Sequence, residues 1–333
     1  MRYIRKGAVM LFLLALTGCS KDEAGNDSGA PVPVRFEAGS PEVFKTRSLI
    51  ESESALQGAG FGVFAYYTGA TAWGDVGSST TPNFMYNQQV TWDGTNSVWT
   101  YTPVKYWPND NNSADNTGAT GSQGHSYVSF FAYAPYFDPS SSPASGVKAI
   151  GANNVSGAPT VTYTWAADAD LLYDYKKDCY KTMTSPGTYG SVGGSVPFIF
   201  KHALAKVEFK IRRKDNSGPP VTLKSLSIGL YTSGTFNLGT ESWTPTSERV
   251  SQTIRSTDLA VTAFTAGTAH SLGSSMLVIP DLKYTINYTI DGNEYTHNNV
   301  SITGLNKGNS YTIIFTIDGD VIKVDTERFT EQW

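Results

Sequence analysis

The chemistry open to this 333-residue chain rests on two cysteines, four histidines, a run of closely spaced aspartates and seven tryptophans. Cys19 follows Leu16-Thr17-Gly18, and a thiol behind small residues has the form of a bacterial lipobox. There the chain is cut before the cysteine, and its sulfur and new amine are acylated. Asp168, Asp170, Asp174 and Asp178 surround Leu171-Leu172-Tyr173, and paired carboxylates are what glycoside hydrolysis requires. Nothing beside them in sequence would raise a carboxylate pKa. Asp110, Asn112 and Asp115 suggest a calcium loop, but Ala114 and Asp115 stand where an EF-hand needs a ligand at its fifth position and a glycine at its sixth. His125, His202, His270 and His297 are far apart and lack ligand spacing, so no metal is expected. No glycine-rich phosphate loop, serine nucleophile elbow or metal-binding cysteine pair is present. The expectation is a protein without cofactor or catalysis, in which Cys179 is a buried, inert thiol.

Tryptophans could stack on sugars if exposed. Trp92, Trp99, Trp107, Trp165 and Trp243 read mostly as core, whereas Trp73, within 70–77, is expected on an exposed loop. That expectation supports an alternative function, a surface glycan-binding lipoprotein feeding a polysaccharide uptake system.

The segments that would position these residues begin with an export signal. Arg2, Arg5 and Lys6 precede an apolar run, 8–16, that is shorter than the roughly 20 residues a bilayer span needs. Residues 1–18 are read as a lipoprotein signal peptide and 19–31 as a flexible tether of small polar residues. Asp22 and Glu23 directly after the lipid-bearing Cys19 resemble the signal that sends lipoproteins of Bacteroidetes to the outer surface. The expected location is therefore the cell outer membrane, held by acyl chains that each contribute about 0.8 kcal/mol per buried methylene.

Beyond the tether, apolar and polar residues alternate with period two, the mark of a strand with one buried face. Val32, Val34 and Phe36 form the first such set. Phe61, Val63, Ala65 and Tyr67 form the next, followed by Val161, Tyr163 and Trp165. The clearest runs from Ala205 to Arg212, four apolar side chains against four charged ones. Tyr284 to Ile290 runs into Asp291-Gly292-Asn293, a hairpin signal. Tyr311 to Ile317 runs into Asp318-Gly319-Asp320, beyond which Ile322 and Val324 continue the pattern.

Tyr, Phe, Trp, Thr, Val and Gly are abundant and long stretches of helix formers are missing, so the chain is all-β. The glycine-rich stretch 185–195 is the natural linker. It divides the chain into an N-terminal β-sandwich, 32–195, and a C-terminal one, 196–333. The formal charge is −4 and falls to −7 once Arg2, Arg5 and Lys6 leave with the signal, which argues against nucleic acid as a partner.

Several motifs in order resemble the fimbrillins, the type V pilins of Bacteroidales, particularly lipoproteins with Mfa-like domains. They are the lipobox, the strand 32–36, Lys45-Thr46-Arg47-Ser48, Gly60-Phe61-Gly62-Val63-Phe64-Ala65-Tyr66, Tyr106-Trp107-Pro108 and Ser129-Phe130-Phe131-Ala132-Tyr133-Ala134-Pro135. Further on come Asp170-Leu171-Leu172-Tyr173, Phe200-Lys201-His202-Ala203-Leu204-Ala205-Lys206-Val207, Met276-Leu277-Val278-Ile279-Pro280 and Trp333. The resemblance implies two transthyretin-like β-sandwich domains in tandem and assembly with other fimbrial subunits by donor-strand exchange. An arginine-specific protease would cut after Arg47, with Arg35 and Lys45 as neighbouring cations. Val32, Val34 and Phe36 would leave with the lipid anchor. Ile322, Val324, Phe329 and Trp333 match the donor or closing strand. The short turn before them favours folding back, so a tip or anchor adhesin carrying a host or bacterial surface ligand stands beside the stalk role.

Overall fold

Period-two patterning becomes backbone pairing throughout the computed structural model, which describes residues 31–39, 52–108, 125–181, 195–215, 221–261, 266–273, 275–280, 283–301, 305–318 and 321–332. In chain order these residues form β1 (Arg35–Gly39), the helix α1 (Glu53–Ala59), β2 (Phe61–Gly69), the one-turn helix α2 (Trp73–Val76), β3 (Met85–Asp93), β4 (Val98–Thr100) and β5 (Tyr127–Ala134). Next come β6 (Gly146–Ile150), β7 (Thr160–Thr164), β8 (Leu172–Cys179), β9 (Ser195–Ile199), β10 (Lys201–His202), β11 (Ala205–Arg213), β12 (Thr222–Tyr231) and β13 (Ser233–Asn237). Then follow β14 (Ser242–Pro245), β15 (Arg249–Arg255), β16 (Leu259–Ala260), β17 (His270–Ser271), β18 (Met276–Val278), β19 (Lys283–Ile290), β20 (Asn293–Ser301), β21 (Asn309–Asp318) and β22 (Val321–Gln332). The fold is all-β, as its composition requires.

The strand β11 buries Ala205, Val207, Phe209 and Ile211 and turns Lys206, Glu208, Lys210 and Arg212 outward. It pairs in parallel with β21, from Lys206 opposite Ser310 to Arg213 opposite Ile317. A one-residue slip would put the charged row inside, so burial pins this register. The facing sheet, β15-β12-β19-β20, supplies Leu223, Ile228, Leu230, Tyr284, Ile286 and Ile290 to the same core. The hairpin expected at Asp291 is present. Asp291 and Gly292 both have positive φ (48° and 87°), and Ile290 pairs with Asn293, the two-residue connection that matches strand twist. The hairpin from β21 into β22 is present as well, with Asp318 opposite Val321.

The N-terminal half is layered differently from a simple sandwich. In its six-stranded sheet, β10-β8-β5-β2-β3-β4, the central strands β2 and β5 are buried on both faces. Phe61, Val63 and Ala65 of β2 face one core together with Phe130 and Ala132 of β5. Phe64 and Tyr66 face a second core with Phe131, Tyr133 and Tyr173. The second core is closed by the sheet β14-β13-β7-β6 through Val161, Tyr163 and Phe236. The first is covered by the two-stranded sheet β1-β9 and by Trp107 and Leu56. Strands buried on two faces read as continuous apolar runs rather than alternations, which explains Phe61 to Tyr66.

The pairings also run across position 195. Strands β9 and β10 pair with β1 and β8, and β13, from 233 to 237, pairs with β7. The sheets that enclose the two N-terminal cores thus take residues from both sides of the glycine-rich stretch; 182–194 lie outside the described residues.

Candidate functional site

The first strand occupies a seat made by three distant parts of the chain. Along one edge β1 runs parallel to β9, with Arg35 opposite Ser195, Phe36 opposite Val196 and Gly39 opposite Ile199. Along the other, the amide of Val34 donates to the Lys105 carbonyl at 2.8 Å and the amide of Trp107 donates to the Val32 carbonyl at 2.9 Å. The Tyr101 hydroxyl donates to the Val34 carbonyl at 2.8 Å. The ladder to β9 thus continues, at Val32 and Val34, into bonds on the opposite edge.

Side chains lock the strand in place. Val34 and Phe36 are 1% and 4% exposed, while Arg35 and Glu37 point to solvent. The Phe36 ring sits 5.2 Å from Tyr101, 5.8 Å from Phe198, 6.0 Å from Phe130 and 6.2 Å from Phe61. Val32 packs at the margin of the same core. Burying Val34 and Phe36 contributes roughly 3–6 kcal/mol. A five-residue two-stranded ladder is marginal in water without such burial. The side chains, more than the ladder, hold β1.

At the other end of the chain, β22 lies antiparallel on β21. Ile322 is buried, Val324 packs against the C-terminal core, and the Ile322 amide donates to the Tyr288 hydroxyl at 3.1 Å. Phe329 lies on this strand opposite Ser310. Cys19, Arg47 and Trp333 lie outside the described residues, as do Asp110, Asn112 and Asp115.

The aspartates that could have served catalysis are spread along β8 and the turn before it, and three of them hold the backbone. Asp170 accepts from the Leu171 amide at 2.8 Å and lies 3.0 Å from His202 Nδ1, both side chains buried. Asp174 accepts from the amides of Tyr175 and Ile199, each at 2.8 Å, and from Lys176. Asp178 accepts from the Trp73 amide at 2.7 Å. Asp168 is exposed and lines a cleft of about 400 Å³ with Asp170, Tyr136 and Ser141. Cys179 is free and buried. No helix among the described residues is long and apolar enough to cross a membrane.

Trp73 corrects the sequence reading. It is 8% exposed, with ring contacts of 4.8 Å to Tyr66 and 5.0 Å to Phe131. Its amide is fixed by Asp178, so α2 presses the indole inward and no stacking platform for sugars exists there. Burial pushes the Asp178 carboxyl above its ordinary range, against the opposing effects of the Trp73 amide and Lys177. A carboxyl raised in the folded state favours folding below its unfolded pKa, and that benefit is lost as pH rises through the folded value. At neutral pH the buried charge is a net cost. Asp178 also sits at φ 55°, where asparagine is better tolerated than most residues. We expect Asp178→Asn, which keeps an acceptor for Trp73, to melt higher than the parent at pH 7. The gap should close near pH 3, as thermal unfolding across that range will show.

Sequence reasoning also missed a polar constellation at the margin of the second core, around the buried Tyr173 of β8. Tyr173, Tyr175 and Lys177 share one face of that strand, Lys201 lies opposite Tyr173, and Glu241 and Lys307 approach from remote loops. Only the pairing of β8 with β10 and the placement of those loops bring the six together.

Comparison with known proteins bears on the whole chain. It is 28% identical to the fimbrium subunit Fim1C of Phocaeicola vulgatus, a match covering 98% of this chain and 95% of that protein. A crystal structure of a fimbrial protein from Bacteroides vulgatus superposes with a TM-score of 0.58 at 24% identity, covering 90% of this chain and 99% of that one; it shares the fold. A family model described as fimbrillin-like matches residues 46–333, and the chain belongs to that family.

Proposed function

We propose that this protein is a fimbrial subunit at the cell surface that is assembled by exchange of its first strand. It is exported as a lipoprotein acylated at Cys19, trimmed after Arg47 by an arginine-specific protease, and completed by a strand from another subunit. The reading carries with it the family's tandem of transthyretin-like sandwiches and a role as stalk, tip or anchor.

One observation supports it above the others: β1 is held in its seat mainly by two buried side chains, Val34 and Phe36. It is the first described strand of the chain, and residues 40–51, which include Arg47, separate it from α1. Its departure would bare the edge of β9, the carbonyl of Lys105 and an apolar trench lined by Phe61, Tyr101, Phe130 and Phe198. An unpaired edge above apolar pockets is a template for an incoming strand, and the burial lost by Val34 and Phe36 is what a donor recovers.

Limited digestion of the purified chain with an arginine-specific protease tests this. The expected product begins at Ser48 and forms oligomers over hours, seen by mass spectrometry and size exclusion. Cleavage after Arg47 that yields only a stable monomer would remove strand exchange from the reading. Resistance at Arg47 would remove the processing step.

A further inference from the structure

We propose that the seat of β1 selects the strand that replaces it, requiring a β-branched residue and, two positions on, a phenylalanine. The donor is then a different subunit, because β22 of a second copy fits poorly. The inference rests on the strand-exchange reading and names the partner of that same trench.

The strand now in the seat shows what the seat accepts. At one end the Trp107 amide donates to the Val32 carbonyl, and at the other the Phe200 amide donates to the Gly39 carbonyl at 3.1 Å. Residues 32–39 therefore set its length, about 25 Å of extended chain. Direction is fixed by the parallel ladder to β9. Within that span the side chains at 34 and 36 are buried, while those at 35 and 37 face solvent.

Position 36 lies in a cage of rings. Phe198 stacks on Phe36 at an interplanar angle of 23°, and Phe61 and Phe130 meet it edge-on at 80° and 79°. Such an arrangement favours a flat ring beyond the area it buries. The hydroxyl of Tyr101, the fourth ring of the cage, donates to the Val34 carbonyl and accepts from the Lys105 amide. A tyrosine at 36 would thus bring a second hydroxyl with no partner waiting. Position 34 suits a branched aliphatic side chain on an extended backbone and rejects a charge.

Against these two positions β22 reads badly. Its segment, 321–333, carries aromatic residues at Phe329 and Trp333. Laid parallel to β9 with Phe329 in the cage, it puts Glu327 where Val34 lies. Reversing the strand puts Glu331 there instead. Trp333 in the cage, in the parallel direction, also brings Glu331 to that place. The register that seats Ile322 and Val324 keeps charge out but leaves the cage without a ring, a cavity that costs stability. A mismatched strand can still pair through its backbone, so oligomers of the cleaved chain alone should yield to a matching strand.

Fluorescein-labelled peptides test this against the cleaved chain, freed of protease and of its released fragment, with anisotropy as the readout. The reference peptide, residues 32–39, should bind and should disperse the oligomers on size exclusion. Peptides carrying Phe36→Leu or Phe36→Tyr should bind roughly tenfold more weakly. The Val34→Glu peptide should not bind, and a peptide of residues 321–333 should be no better than the Phe36→Leu one. Equal binding of the reference, Phe36→Leu and Val34→Glu peptides would overturn the selection and leave strand exchange standing. Binding of the 321–333 peptide as tight as that of the reference would do the same. A reference peptide that fails to bind a chain cut after Arg47 would remove the strand-exchange reading and this inference together.

Discussion

Phe36→Ala should destabilise the uncleaved chain by about 3–5 kcal/mol. Phe36 is 4% exposed and its ring meets four aromatic neighbours drawn from β2, β5, β9 and the segment after β4. Those neighbours are held by their own sheets and cannot collapse into the space, so the cavity persists and the cost sits at the upper part of the large-to-small range. Urea unfolding followed by tryptophan fluorescence would measure it, and a loss below about 1 kcal/mol would mean that β1 is not a working part of the core. The same substitution bears on assembly. If β1 departs during maturation, oligomers formed after cleavage at Arg47 lack Phe36, and their thermal stability should match that of oligomers from the parent chain. Polymer weakened to the same extent as the precursor would show that β1 remains in place.

Ending the chain at Asp318 should have a still larger effect. That truncation removes β22, whose pairing with β21 runs from Asn309 opposite Gln332 to Asp318 opposite Val321. It bares one whole edge of β21 and removes Ile322, worth about 2–5 kcal/mol by itself when cut to alanine. A natural domain holds only about 5–15 kcal/mol in total, so the loss is comparable to the whole stability of the C-terminal sandwich. The expected product is insoluble or strongly self-associating, since a long bare edge recruits other edges. Analytical ultracentrifugation of refolded material would detect this. A soluble, folded monomer would instead indicate that the C-terminal sandwich is complete without β22, leaving that strand available as a donor to another subunit.

How far the residues alone led depends on how local the determining physics was. The alternation from Ala205 to Arg212 has only one register that keeps charge out of the core, and β11 adopts it. Asp291-Gly292 has the backbone freedom of a two-residue hairpin, and β19 and β20 meet there. Family motifs spread along the chain carried the relationship that the match over residues 46–333 shows. These signals are short-range or are carried by residue order, so they survive reading without coordinates.

Other features depended on which surfaces meet. Phe61 to Tyr66 could have been one buried face or two; the packing of β1-β9 on one side and β7-β13 on the other decides for two. Trp73 lies among turn formers, and only the amide bond to Asp178 and the contacts with Tyr66 and Phe131 turn it inward. The six side chains around Tyr173 and Tyr175 come from four segments far apart in sequence. Strand formation, the hairpins and family membership were determined by the amino-acid order, because side-chain period and turn chemistry act over a few residues. The covering of β1, the inward turn of Trp73 and the cluster on β8 were decided only by tertiary structure, because burial and charge proximity depend on partners that nothing local specifies.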